Sequence, residues 1–144
     1  MGGGLLYSLS QVVMVINDSK RKEVGKIGET IAAQFLEKKG FKILERNYRK
    51  PWGEIDLIAQ KDNTVRFVEV KTLSRENIGD FSREMSDYRP EEQVHAFKLK
   101  KIARTADMYM DSNRDRREYQ IDVVGVFLNM RLRTAHCRLY EQVL

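Results

Sequence analysis

Two short apolar runs joined by a four-residue turn constrain this chain more than any other feature. Glu54–Gln60 and Val65–Thr72 are rich in aliphatic and β-branched residues, and Lys61-Asp62-Asn63-Thr64 between them is a turn signal. With a two-residue loop at Asp62-Asn63 the runs pair as an antiparallel hairpin. In that register Asp56 lies opposite Glu69, and Glu54 opposite Lys71. One face carries Ile55, Leu57, Ala59, Val68 and Val70, with Arg66 near the turn, and reads as fully buried. The other face has Ile58 and Phe67 beside its charges. Strands this apolar belong inside a layered domain, covered by other elements.

The covering elements are legible on either side. From about Lys20 to Gly40, Ile27, Ile31, Phe35 and Leu36 recur at helical spacing, and Gly40 supplies a stop. Phe41–Tyr48 reads as a strand with Phe41, Ile43 and Leu44 as its core candidates, and Pro51-Trp52-Gly53 as the turn after it. Glu91 to about Asp111 forms a second helix, with Leu99, Ile102, Ala103, Ala106, Tyr109 and Met110 on one arc. Tyr119–Leu128 and Thr134–Tyr140 read as two final strands. The order α-β-β-β-α-β-β predicts an α/β domain, a mixed β-sheet flanked by helices, over residues 20–144. Residues 1–19 form an N-terminal extension that suits a strand, a tail or an early start codon equally. Residues 73 to 90 are polar, hold Gly79 and Pro90, and read as a long loop.

Bulk properties narrow the function classes. A length of 144 residues suits one hydrophobic core, and a formal net charge of +5 is compatible with a polyanionic partner. Cys137 is the only cysteine, so an intrachain disulfide is excluded. With His95 and His136 far apart in sequence, a Cys/His zinc site of the usual spacing is excluded too. The apolar stretch Leu5–Ile16 is too short to span a bilayer and lacks a basic region before it, so a cytoplasmic setting with no membrane partner is expected.

The hairpin also carries the chemistry. Asp56, Glu69 and Lys71 converge on one face of a strand pair that is otherwise nearly all apolar. Two carboxylates in a half-buried place repel one another unless a cation joins them. Mg²⁺ or Mn²⁺, bound by Asp56, Glu69 and the backbone carbonyl of Val70, would resolve the conflict. Lys71 is placed to orient a water or to stabilise charge on a phosphate. The competing reading is a solvated charge network of Glu54, Asp56, Glu69 and Lys71 at a strand edge, which spacing alone leaves open.

A longer run of ordered motifs then resembles a known family. Gly28-Glu29…Ala32-Ala33…Phe35-Leu36…Gly40-Phe41-Lys42-Ile43-Leu44-Glu45-Arg46-Asn47-Tyr48-Arg49 is followed by Gly53-Glu54-Ile55-Asp56-Leu57-Ile58-Ala59, Phe67-Val68-Glu69-Val70-Lys71-Thr72 and Asp122-Val123-Val124-Gly125. From about Gly25 to Gly125 the chain resembles the YraN-like family of the PD-(D/E)-x-K nuclease superfamily. That resemblance implies a restriction-endonuclease-like fold related to archaeal Holliday-junction resolvases. It also implies that Glu29, on the first helix, joins Asp56, Glu69 and Lys71 in the site. Two features depart from the family: Leu99 follows Lys98 where a glutamine is usual, and the loop after Leu73 is longer. That loop is compatible with a lid, a substrate clamp or an oligomerisation arm.

The expected function is metal-dependent cleavage of nucleic-acid phosphodiesters, DNA before RNA, with branched or junction DNA as a specific expectation. Lys98, Lys100, Lys101 and Arg104 on the second helix, with Arg46 and Arg49, are the expected nucleic-acid contacts. Cutting both strands of a two-fold junction calls for a homodimer. The rival is a binding module for nucleic acid or a repair partner on the same fold.

Overall fold

The computed structural model describes residues 5–8, 20–75 and 96–144 of the chain. Its elements are β1 (Leu5–Ser8), α1 (Lys20–Lys38), β2 (Lys42–Lys50), β3 (Gly53–Lys61), β4 (Thr64–Arg75), α2 (Ala96–Ser112), β5 (Tyr119–Asn129) and β6 (Thr134–Tyr140). From Lys20 onward this is the expected order, and β1 adds a strand ahead of it. The six strands form one mixed sheet in the order β1-β6-β5-β4-β3-β2. All neighbours are antiparallel except β4 and β5, which run parallel from Val65↔Tyr119 to Arg75↔Asn129. A parallel pair needs a crossover, and α2 lies in it.

Each helix covers one face. Ile27, Ile31, Phe35 and Leu36 of α1 pack with Leu57, Ala59, Val68, Val124, Val126 and Leu128. Leu99, Ile102, Ala106 and Met110 of α2 pack with Ile58, Val65, Phe67, Ile121 and Val123 on the other face. Edge-to-face rings extend this second core, Tyr109 against Tyr48 and Phe67, and Phe67 against Tyr119, at centroid separations of 5.3, 5.6 and 5.5 Å. The strands between the helices are therefore apolar on both sides.

Local chemistry ends the elements where the sequence suggests. Gly40 takes φ +90°, a left-handed conformation that glycine adopts without a Cβ penalty. The N–H of Phe41 then bonds to the carbonyl of Leu36 and that of Gly40 to Glu37, which satisfies the free carbonyls of α1. Asp62 and Asn63 take φ values of 50° and 62°, the pair of left-handed residues that a two-residue hairpin with native twist requires.

The largest difference from the expected boundaries is at the end of β4. Leu73, Ser74 and Arg75 continue β4 instead of opening a loop, because β5 offers them parallel partners in Phe127, Leu128 and Asn129. The rest of the expected loop and the expected helix start at Glu91 lie outside the described residues. No helix among the described residues is long and apolar enough to cross a membrane.

Candidate active site

The hairpin is regular near its turn and parts farther on. Its ladder runs from Lys61↔Thr64 to Leu57↔Val68 and stops there. On the other side of β3, pairing with β2 passes from Arg46↔Leu57 to Tyr48↔Ile55 and leaves Asn47 and Asp56 out of the ladder. Asn47 has φ 52°, a left-handed backbone that asparagine tolerates better than most residues. The chain turns over at this point. Leu57 and Ala59 face α1, whereas Ile55, expected beside them, packs in the α2 core.

This irregularity corrects two expected pairs. Asp56 is not the ladder partner of Glu69; its Oδ2 accepts the N–H of Val70 at 2.8 Å, in the place of a strand carbonyl. Glu54 does not meet Lys71; it is exposed, pairs in register with Arg49, and has its carboxylate 3.8 Å from the Arg49 guanidinium.

The carboxylates nevertheless converge. An open groove of about 660 Å³ is lined by Glu29 of α1, Asp56 of β3, Glu69, Val70 and Lys71 of β4, and Lys98 of α2. The Glu69 side chain is only 6% exposed; its Oε1 is 3.7 Å from Lys71 Nζ and in direct ionic contact with Lys98 Nζ. Two close approaches bring the helices to this end of the sheet. A Cβ on Gly28 would lie 1.9 Å from Thr72 Oγ1, and one on Gly53 would lie 2.1 Å from Thr105 Oγ1. Larger residues at either position would hold α1 or α2 away from the groove.

Electrostatics follow from crowding acids in a partly dry place. Burial first, then the Glu69 charge, and to a lesser extent Glu29, push the Asp56 carboxyl up to about 7, against the Val70 N–H that lowers it. Burial also raises Glu29, with Glu69 adding to it, while Arg46 and Arg49 pull the other way. Burial lowers Lys98, but bonding to Glu69 and the Asp56 charge more than reverse this, so its ammonium is held above the usual range.

None of the other expected contacts is among the residues that line the groove. Lys100, Lys101 and Arg104 are exposed on the outer side of α2. Arg46 donates to Thr30 Oγ1 of α1 at 3.0 Å. Lys98, expected among the nucleic-acid contacts, reaches the carboxylates instead. Its position at the border of the apolar arc was the available signal, since Glu69 shares the α2 side of β4 with Val65 and Phe67.

The donor set suits a hard divalent cation: carboxylate oxygens of Asp56, Glu69 and Glu29, plus the Val70 carbonyl. Among the described residues, no three His, Cys, Asp or Glu side chains are gathered as a chelating group. Glu69 is turned to its two lysines and Asp56 to the Val70 N–H. Burial and the neighbouring Glu69 charge, which raise the Asp56 carboxyl, are what a cation bound there would offset.

Fold and groove together define a mixed-sheet α/β domain with an acidic, lysine-flanked groove where its central strands part. The chain belongs to the UPF0102 family: residues 28–126 match the family described as "Uncharacterised protein family UPF0102". It is 44% identical over 111 residues to a UPF0102 protein of Caldanaerobacter subterraneus subsp. tengcongensis, covering 76% of this chain and 83% of that one. It is 39% identical over 109 residues to one of Dictyoglomus thermophilum (75% and 85%). It is 41% identical over 112 residues to one of Chloroherpeton thalassium (77% and 80%). The matched span includes all six groove residues named above.

Proposed function

We propose that this chain is a Mg²⁺- or Mn²⁺-dependent endonuclease that hydrolyses DNA phosphodiester bonds, branched or junction DNA among them. The observation that carries this reading is the convergence of Glu29, Asp56 and Glu69, from three elements, with Lys71 and Lys98 in one groove. The resemblance of the Asp56…Glu69-Val70-Lys71 pattern to the PD-(D/E)-x-K nucleases supports it.

Asp56, Glu69 and the Val70 carbonyl would hold the metal, with Glu29 beside them. A divalent cation bound there supplies a more acidic water and neutralises charge developing on the phosphate. Lys71 holds the attacking water in line and stabilises the non-bridging oxygens as the water oxygen bonds to phosphorus and the leaving oxygen departs. Arg46, Arg49, Lys100, Lys101 and Arg104 hold the flanking phosphates, so affinity falls steeply with salt. A junction cut on both strands uses two copies of the chain.

The ion pair between Lys98 and Glu69 favours a second reading, a module that binds nucleic acid or a repair partner without cutting, since it occupies a carboxylate the metal needs. Cleavage assays on branched, flapped and linear DNA, and on RNA, with Mg²⁺ or Mn²⁺ separate the two. Wild type cuts DNA, and Glu69→Ala and Lys71→Ala each lose at least about 100-fold in rate. Binding without cleavage in every metal would leave the second reading, and activity that survives both substitutions would refute this site.

A further inference from the structure

A second open groove, about 540 Å³, adjoins the carboxylate groove and shares Lys98 with it. One wall is the β2–β3 turn, with Lys50, Pro51 and Gly53; the other is the start of α2, with Phe97 and Lys101. Gly53 draws the walls together, because its missing Cβ lets Thr105 sit against it, and Thr105 Oγ1 donates to the Lys101 carbonyl at 2.8 Å. Phe97 is 80% exposed, more than Trp52, Leu132 or Leu144, the other large apolar side chains at the described surface. Lys50 and Lys101 are exposed and form no ion pair with a described residue, and Glu54 in the same groove lies 3.8 Å from Arg49. The result is a cationic channel with an aromatic ring at its edge.

We propose that this groove binds a single-stranded segment of nucleic acid leaving the carboxylate site, with one base stacked on Phe97 and the neighbouring phosphates on Lys101 and Lys50. The inference rests on the nucleic-acid reading of the adjacent groove and deepens it, because it assigns the state of the strand. Lysines alone suffice to hold duplex phosphates, whereas an exposed ring gains a partner only where a base is unstacked. A purely apolar partner would leave Lys50 and Lys101 dry and without an ion pair at the rim, at a cost. Bases strung between phosphates match both the ring and the charges. Lys98, common to both grooves, makes the path continuous. Substrates with an unpaired strand beside the cut, such as flaps and forks, are therefore preferred to linear duplex.

The test is binding in metal-free buffer containing EDTA, with a single-stranded oligonucleotide carrying one 2-aminopurine and its duplex counterpart. Wild type quenches the probe by stacking. Phe97→Ala loses the quench and about tenfold in single-strand affinity. Phe97→Trp retains both, and duplex affinity stays within about twofold in each variant. Lys101→Ala flattens the single-strand salt dependence by about 0.7 in log–log slope. Equal losses on single strand and duplex, or an unchanged quench in Phe97→Ala, would overturn the proposal. So would a Phe97→Ala effect confined to elution volume, which would assign the ring to a protein contact. Cleavage by wild type with Phe97→Ala indifferent defeats this inference alone; stacking without cleavage in any metal defeats the nuclease reading alone.

Discussion

Arg66 and Glu69 lie three residues apart on β4, both buried and both charged, yet their surroundings differ. Near the closed end of the hairpin, Arg66 Nη1 donates to Asp122 Oδ2 at 3.0 Å and Glu141 Oε1 at 2.9 Å, and its guanidinium lies over the Phe41 ring. Asp122, fully buried, also accepts from Gln120 Nε2 and the Gln142 N–H, which ties the chain after β6 to the sheet. At the parted end, Glu69 meets Asp56 and Glu29, two more acids, with Lys71, Arg75 and Lys98 as the cations that line the groove with them. The strand is the same and the burial similar, but at the closed end each acid is bonded directly to Arg66, while at the open end Asp56 forms no ion pair with a described residue. Buried charge in direct ion pairs is commonly structural, whereas like charges crowded beside a groove are a frequent mark of a functional site.

The sharpest way to break this contrast is Arg66→Leu. It strands Asp122 in the sheet with its cation removed, and unfolding in urea should show a loss of about 3–5 kcal/mol. A loss below about 1 kcal/mol would mean that the closed end is no better compensated than the open one.

The open end should respond in the opposite direction. Asp56→Asn keeps an acceptor for the Val70 N–H and removes one of the crowded charges. In metal-free buffer it should raise the melting temperature by about 3–8 °C at pH 8. The sign follows from the raised carboxyl: the folded state holds the Asp56 proton more tightly than the unfolded chain. The native acid therefore loses stability as pH rises from its ordinary value of 3.8 through about 7. Below about pH 4 both proteins have a neutral side chain and the gain should vanish. A gain independent of pH would assign it to packing instead.

The same contrast marks how much of the molecule its sequence discloses. Near the turn, Asp62-Asn63 and the alternation of Leu57, Ile58 and Ala59 specify the register directly, and the ladder follows it from Thr64 to Val68. Beyond Leu57 the pattern misleads, because a side chain replaces the ladder: Asp56 captures the Val70 N–H, and Asn47 takes a left-handed backbone opposite it. Neither event has a local periodic signal. Lys98 joins the carboxylates through helix placement, and that placement depends on Gly53 meeting Thr105, residues more than fifty positions apart. The Arg66–Asp122–Glu141 cluster is hidden for the same reason. Arg66 reads as a lone charge near a turn until the parallel pairing of β4 with β5 brings in its partners. Glu29 was accessible through the ordered run of motifs, and it lines the groove.

The central claim is that the parted end of the hairpin is a cation site built from acids on separate elements. Mn²⁺ titration followed by calorimetry, with the electron spin resonance of free Mn²⁺ as a second readout, tests it most directly. Wild type should bind Mn²⁺ saturably, and Asp56→Asn and Glu69→Gln should each weaken binding at least about tenfold. Lys98→Met, which removes the competing ammonium from Glu69, should strengthen it. Absence of saturable binding in wild type, or binding indifferent to both carboxylate substitutions, would contradict the claim.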